Sequence, residues 1–208
     1  MNRTTPKNRA HAAEGLGYSL PDSGKSPSGF LTSKRIYLRE VRAGDVNDNY
    51  YRWLNDPEVT RFLEIRYTPH SLEDIRGFVA AMDGKKDEIF LAICLRENDR
   101  HIGNIKLGPI NPIHRFGDIS LLIGAKDCWG KGYATEAIVS MCRFAFAVLN
   151  LRKVNAGAYA ANTGSIRAFE KAGFSQEGRM KGQYLAGGVA MDQILLGLCA
   201  EEFTNEGN

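Results

Sequence analysis

Trp129-Gly130-Lys131-Gly132-Tyr133-Ala134-Thr135-Glu136 is the stretch on which the reading of this chain turns. It follows an apolar, strand-like run from Ile119 to Gly124 and opens an amphipathic helix predicted to extend to about Leu149. A glycine-rich turn between a strand and a helix leaves several backbone N–H groups without intrahelical partners. With the positive end of the helix dipole, those donors form a site for a phosphate or pyrophosphate. Gly130 and Gly132 keep the backbone bare enough for oxygens to approach. Two glycines alone fit an ordinary strand-to-helix turn better than an anion site, so the neighbouring pattern decides.

Upstream, Ile36-Tyr37-Leu38-Arg39 reads as a first strand, and Asp45 to Asn55 as a helix carrying Tyr50, Trp53 and Leu54. Pro57 and Pro69 bracket the segment Glu58–Tyr67. A second helix runs from Ser71 to Met82, with Ser71 and Asp74 spaced as an N-cap pair. Ile89–Leu95 and His101–Leu107 form a hairpin around Glu97-Asn98-Asp99-Arg100. In the next strand, Gly117–Gly124, Ile119, Leu121 and Ile123 face one way, and Asp118, Ser120 and Leu122 the other.

In the helix after the glycine turn, Ala134, Ala137, Ile138, Met141, Ala145 and Val148 share a face, with Glu136, Ser140 and Arg143 opposite. Lys153–Tyr159 is another strand. Asn162 caps a helix that ends at Gly173, where a left-handed residue would fold Phe174 back on the last turn. Strands Gln176–Tyr184 and Val189–Leu198 flank the turn Ala186-Gly187-Gly188. The order β-α-α-β-β-β-α-β-α-β-β predicts an α/β fold, a mixed sheet with helices on its faces, in one domain over residues 30–203. Residues 1–29 read as a flexible tail, and 204–208 as a short C-terminal one.

Bulk properties narrow the function. The chain has 208 residues, 43% hydrophobic and 25% charged, enough for one substantial core. A net charge of +3, spread along the chain, gives no argument for nucleic acid, and no apolar run is long enough for a membrane. Cys94, Cys128, Cys142 and Cys199 lack the spacing of a metal site or a disulfide framework, so no metal is expected. Reduced thiols without a secretory signal point to the cytoplasm.

The glycine turn, together with Asn162-Thr163-Gly164-Ser165-Ile166-Arg167-Ala168-Phe169-Glu170-Lys171-Ala172-Gly173-Phe174, resembles the GCN5-related N-acetyltransferase (GNAT) superfamily. Within it, the chain is most similar to the branch of the ribosomal-protein alanine N-acetyltransferases. The resemblance covers about residues 33–198. It implies a cytoplasmic enzyme with acetyl-coenzyme A as cosubstrate, held in a splayed gap between the fourth and fifth predicted strands. Leu122, Ile123 and Gly124 would hold the pantetheine arm. Trp129, Gly130, Lys131, Gly132, Tyr133, Ala134 and Thr135 would hold the pyrophosphate. Asn162, Ser165 and Phe169 would complete the cofactor contacts. Asp127 stands where relatives often carry Gln or Arg, an acid beside a proposed anion site.

Acetyl transfer by direct attack needs a neutral amine, an oxyanion donor and a proton for the leaving thiolate. A backbone N–H near Leu122 or Ile123 is the oxyanion donor that the resemblance implies. Relatives place a tyrosine over the sulfur where this chain has Phe169, so Ser165 is the substitute acid, with a local helix-capping role equally open. Asp118 and then Glu64 are the candidate bases. His114 reads as a surface residue beside Pro112 and Arg115.

The acceptor is a small-molecule amine or a peptide N-terminus. An amino sugar, free or nucleotide-linked, is the first expectation, with Glu64, Arg66, Tyr67 and Tyr184 as its binding residues. A ribosomal-protein-like N-terminus is the second, and an antibiotic or polyamine the last, because the acidic residues are scattered. A non-catalytic acyl-CoA sensor stays open on the loss of tyrosine at Phe169, and so does a homodimer.

Overall fold

A computed structural model describes residues 29–204, so nearly all of both predicted tails lies outside the described residues. Thirteen elements follow in the predicted order: β1 (Leu31–Thr32), β2 (Ile36–Glu40), α1 (Asp48–Asn55), α2 (Pro57–Thr60), α3 (Leu72–Met82), β3 (Ile89–Leu95), β4 (His101–Asn111), β5 (Phe116–Ile123), α4 (Tyr133–Ala147), β6 (Lys153–Tyr159), α5 (Thr163–Lys171), β7 (Ser175–Ala186) and β8 (Val189–Cys199). The predicted first strand gains the two-residue β1 as a partner. The proline-bracketed segment becomes α2 and a 3-10 turn over Glu64–Tyr67. No helix among the described residues is long and apolar enough to cross a membrane.

Local chemistry accounts for the helix ends. Asn47 accepts from the N–H groups of Asn49 and Tyr50 to start α1, and Asp56 accepts from Glu58 N–H to start α2, with Pro57 at its first position. Ser71 and Asp74 close the predicted capping box of α3. Gly173, at φ +100°, ends α5, and Phe174 N–H donates to Phe169 O at 3.1 Å. This turns the Phe174 ring edge-on to that of Phe169, 5.0 Å between centroids. Gly187 and Gly188 both take positive φ in the last hairpin turn.

The eight strands form one sheet in the order β1-β2-β3-β4-β5-β6-β8-β7. Every neighbouring pair is antiparallel except β5 and β6. Alternation gives β3–β5 one face of fully buried residues, Leu91, Ile93, Ile105, Leu107 and Ile119. The other face presents Phe90, Asn104, Lys106, Ser120 and Leu122 beneath α1 and α3.

Helix α4 departs from its amphipathic pattern. Ser140, expected on the polar face, is buried and donates its hydroxyl to Glu136 O, whereas Val148, expected on the apolar face, is exposed beyond the helix end. The reason is tertiary: β1 and β2 pack against α4, and the Phe30 ring sits 5.0 Å from that of Phe144. That cover encloses a surface which a helix on a bare sheet would leave in water.

Candidate active site

The parallel pair β5–β6 sets the geometry. Its register holds for only three steps, Phe116↔Lys153, Gly117↔Val154 and Asp118↔Asn155. Beyond Asp118, β5 continues with β4 as far as Ile123↔Gly103, and β6 continues with β8 as far as Tyr159↔Gln193. The two strands therefore part, and the edges of 119–123 and 156–159 face a gap without pairing each other. This is the splay expected between the fourth and fifth predicted strands, now β5 and β6. Unpaired strand edges carry free N–H and C=O groups, which is what an amide-rich arm such as pantetheine requires.

The glycine turn lies at the open end of that gap. A 3-10 turn over Lys126–Cys128 leads into it, and Gly132 acts as N-cap of α4. Gly130 and Gly132 have φ of +72° and +83°, a left-handed backbone that non-glycine residues adopt at a cost of ~1–2 kcal/mol each. No atom lies within 4 Å of where a Cβ of Gly130 would stand, so the turn is open to a ligand. Trp129 N–H is spent on Lys126 O at 3.0 Å, and Glu136 N–H is the first of α4 to bond back, to Gly132 O, which leaves the amides of 130–135 for a ligand. These residues fit a pyrophosphate.

Asp127 does not oppose that role. Arg100 grips it through two bonds, Nη1–Oδ2 at 2.6 Å and Nη2–Oδ1 at 2.7 Å, and holds its carboxyl below the usual range. Lys126, next to it, pairs with Asp56 and Glu58 and ties the turn to α2. The Trp129 indole N–H donates to Ile123 O at 2.7 Å, pinning the turn to the end of β5.

Two of the residues expected to hold pantetheine are partly spent inside the protein. Ile123 O takes the Trp129 indole, and Gly124 N–H donates to Ile102 O. Glycine at 124 also has a packing reason: a Cβ there would stand 2.1 Å from the Trp53 indole. Leu122 is paired with Asn104 in the β4–β5 ladder, and its side chain lines the pocket described below.

Arg35 was not foreseen. Its Nε donates to Glu136 Oε2 at 2.8 Å, its backbone N–H to Glu136 Oε1 at 2.6 Å, and its Nη1 to Lys131 O at 2.9 Å. The guanidinium also lies 4.7 Å from the centre of the Tyr133 ring. Burial alone would raise the Glu136 carboxyl, but the two Arg35 contacts hold it below its ordinary range. A partner about a hundred residues away leaves no local signal in the sequence.

On the β6 side of the open end, the expected acceptor residues do meet, around a residue not anticipated. Tyr159, the last residue of β6, donates its hydroxyl to Glu64 Oε1 and accepts from Arg66 Nη2 at 3.0 Å. Its ring stacks on Tyr184 with centroids 4.0 Å apart. Arg66 also bonds the Tyr67 hydroxyl, which donates to Leu185 O. Burial, then the Glu64 carboxylate, push the Tyr159 phenol up to about 12. An aromatic at a strand end just before the Asn162 cap was the available clue.

The two candidate bases stand at opposite ends of the gap. Asp118 is paired with Asn155 at the crotch of the splay, and among the described residues no group bonds its carboxylate. Glu64 reaches Tyr159, four residues further along β6, roughly 13 Å at strand rise. Asn162 Oδ1 accepts from Ser165 N–H as the cap of α5, and Ser165 is half-buried, with no protein partner for its hydroxyl among the described residues. Phe169 is in the core, 2% exposed against Phe174. His114 is exposed, as expected.

Between α1, α3 and the β3–β5 face lies a pocket of about 400 Å³. Leu54, Leu63, Ile65, Ile75, Phe78, Phe90 and Leu122 give it apolar walls, and Tyr50, His70, Asp74, Asn104, Lys106 and Ser120 its polar points. The 3-10 turn divides the two acceptor-side regions: Leu63 and Ile65 line the pocket, whereas Glu64 and Arg66 turn to Tyr159.

A model of the acetyltransferase (GNAT) domain family matches residues 35–175. An uncharacterized N-acetyltransferase of Bacillus licheniformis, p20, is 27% identical over 179 residues, covering 83% of this chain and 97% of the relative. Spermidine N(1)-acetyltransferase of Escherichia coli is 27% identical, covering 83% and 86%. Among solved structures, a GNAT-family acetyltransferase from Bacillus anthracis superposes with a TM-score of 0.73 at 23% identity, covering 83% of this chain and 99% of that one. Spermidine N-acetyltransferase from Vibrio cholerae, solved with CoA and spermine, gives 0.73 at 22% identity, covering 81% and 97%. At these identities the structures speak for the shared fold.

Proposed function

The chain belongs to the acetyltransferase (GNAT) family and is an acetyltransferase, and from that premise we propose that it moves acetyl from acetyl-CoA directly to the primary amine of a small molecule. The observation that carries this reading is the position of Leu122, shared by the edge of the β5–β6 gap and the pocket under α1 and α3. A thioester lying in the gap meets an amine arriving from the pocket there. The amides of residues 130–135 take the pyrophosphate, with Lys131 as countercharge. A relative solved with CoA supports this donor.

The amine attacks the thioester carbonyl while the N–H of Ile123, on the edge of β5 away from β4, receives the oxyanion; Leu122 N–H lies on the β4 side with that of Gly124. Of the two bases, Asp118 fits better: its carboxylate has no partner among the described residues and adjoins the gap, whereas Glu64 is committed to Tyr159. Ser165, its hydroxyl unengaged, supplies the proton or hydrogen bond to the departing thiolate. Glu64, Arg66, Tyr67 and Tyr184 then act as a tied wall around Tyr159, at the outer rim of the acceptor side.

A pocket walled by two helices and a sheet supports a small molecule over a protein N-terminus, which needs an open groove. Spermidine acetyltransferases among the relatives also favour small amines. Asp74 is the one carboxylate in the pocket lining, and it is held in the α3 capping box, so a polycation finds little to pair with. A thiol-release assay with acetyl-CoA and a panel of small amines and short peptides tests the proposal. Release that depends on small amines is expected; release with peptides alone would overturn it.

A further inference from the structure

The pocket floor carries a set of hydrogen-bond donors that its apolar walls do not require. Asn104 is 4% exposed and lines the pocket from β4. His101 Nε2 lies 2.9 Å from both Gly103 O and Asn104 Oδ1. A carbonyl oxygen only accepts, so Nε2 carries the proton. Asn104 must then present its oxygen to His101 and keep its NH2 group for the pocket. Among the described residues no acceptor takes that NH2 group.

His101 is itself fixed. Tyr50 and Trp53 stand edge-on to its ring, and its Nδ1 faces Asp45, 3.9 Å away. Asp45 is in turn locked in a buried two-bond pair with Arg39, at 2.7 Å each.

Lys106 lies two residues along the same face as Asn104, and Ser120 is directly opposite it on β5. Residues so related are about 5–7 Å apart, so the three form one patch of donors. Lys106 Nζ bonds Glu88 at 3.1 Å, but Glu88 is shared with Lys85, leaving two ammonium groups on one carboxylate. Lys106 is the one lysine or arginine of the pocket lining, and the one carboxylate there, Asp74, is held in the α3 capping box.

We infer that Asn104, Lys106 and Ser120 form an oxyanion-recognition site, so that the acceptor is a primary amine that also bears a carboxylate or phosphate. β5 stands between the β4 donors and the gap, which puts amine and oxyanion at least one strand spacing, about 5 Å, apart. The assignment rests on the transferase reading of the same pocket.

Matched pairs test it: benzylamine against 4-(aminomethyl)benzoate, and glucosamine against glucosamine 6-phosphate, with spermidine alongside. The expected result is a kcat/KM at least tenfold higher for the anionic member of the preferred pair. Lys106→Met should cut that ratio to threefold or less, and Asn104→Leu should lower it too. Because Lys106 is partly exposed, its variant remains informative if Asn104→Leu does not fold. The first pair against the second separates a carboxylate on a ring from a sugar phosphate. Equal rates within both pairs, a preference for spermidine, or a ratio unchanged in Lys106→Met overturns the site.

Calorimetric binding of the same pairs needs no turnover and separates this assignment from the transferase reading. Anion-selective binding without thiol release keeps the patch and sinks acetyl transfer to these amines. Release without anion selectivity keeps transfer and sinks the patch.

Discussion

The donor and acceptor sides of this enzyme are built by opposite means. On the side proposed for the donor, one continuous stretch, residues 126–136, presents backbone N–H groups held by two left-handed glycines. On the acceptor side, the pocket draws single side chains from α1, α3, β3, β4, β5 and the loop before α3. Its polar floor depends on a chain of contacts through Arg39, Asp45, His101 and Asn104. A backbone site tolerates change in the side chains around it, whereas a converged side-chain site hangs on the buried groups that orient it. Lesions on the two sides should therefore fail differently.

The largest effect is expected from Asp45→Ala. Burial by itself pushes the Asp45 carboxyl up, but the Arg39 guanidinium and the Arg42 N–H hold it below the ordinary range, so it is an anion in a buried pair. Removing one partner strands the other charge, at a cost of about 3–5 kcal/mol. Chemical denaturation should register that loss; a change below 1 kcal/mol would mean that the acceptor wall does not depend on this pair.

On the donor side, Gly132→Val forces a β-branched residue into a left-handed cap. The cost of roughly 1–2 kcal/mol should emerge as a 5- to 30-fold rise in KM for acetyl-CoA. The KM for the amine should stay within twofold. A parallel rise in both constants would break the division between the two sides.

Acid should weaken the acceptor side selectively. Burial pushes the His101 imidazole below its ordinary pKa. Below about pH 6.5 the unfolded chain takes up a proton that the folded one refuses, so stability falls with pH, by up to about 1.4 kcal/mol at pH 5.5. No such dependence arises from this group above pH 7. His101→Gln should flatten the profile of stability between pH 7 and 5.5, and a profile as steep as the parent's would exclude His101 as its source.

The smallest effect is expected at Arg35. It braces the glycine turn through Glu136 and Lys131 O, but its side chain is half-exposed, so solvent screens the pair. Arg35→Met should raise KM for acetyl-CoA about three- to fivefold, consistent with about 1 kcal/mol, at nearly constant kcat. A fall in kcat with KM unchanged would move Arg35 out of this bracing role.

Much of the molecule was legible in the sequence where its signal is local. The glycine turn, the Ser71–Asp74 cap, the Asn162 cap and the Gly173 stop each need only a few consecutive residues, and each forms as read. Strands Ile89–Leu95 and Lys153–Tyr159 have the expected bounds because their apolar pattern is sharp. The amphipathic reading of α4 missed the burial of Ser140, since what covers it comes from β1, more than a hundred residues upstream. For the same reason Arg35 gave no sign, while Asp127 looked like a liability until Arg100 was found holding it. Tyr159 gathers Glu64, Arg66 and Tyr184 by contacts that no spacing encodes.

Read alone, the sequence sets the order of the elements, the glycine turn and, through its resemblance to a family, the expectation of an acetyltransferase. Those depend on hydrogen bonds and periodicities within a few residues of one another. Where β5 and β6 part, which carboxylate beside the gap has no partner among the described residues, and which way Asn104 points are fixed only in the folded chain. Each of these is a relation between distant segments, set by packing and by the competition of buried polar groups for partners.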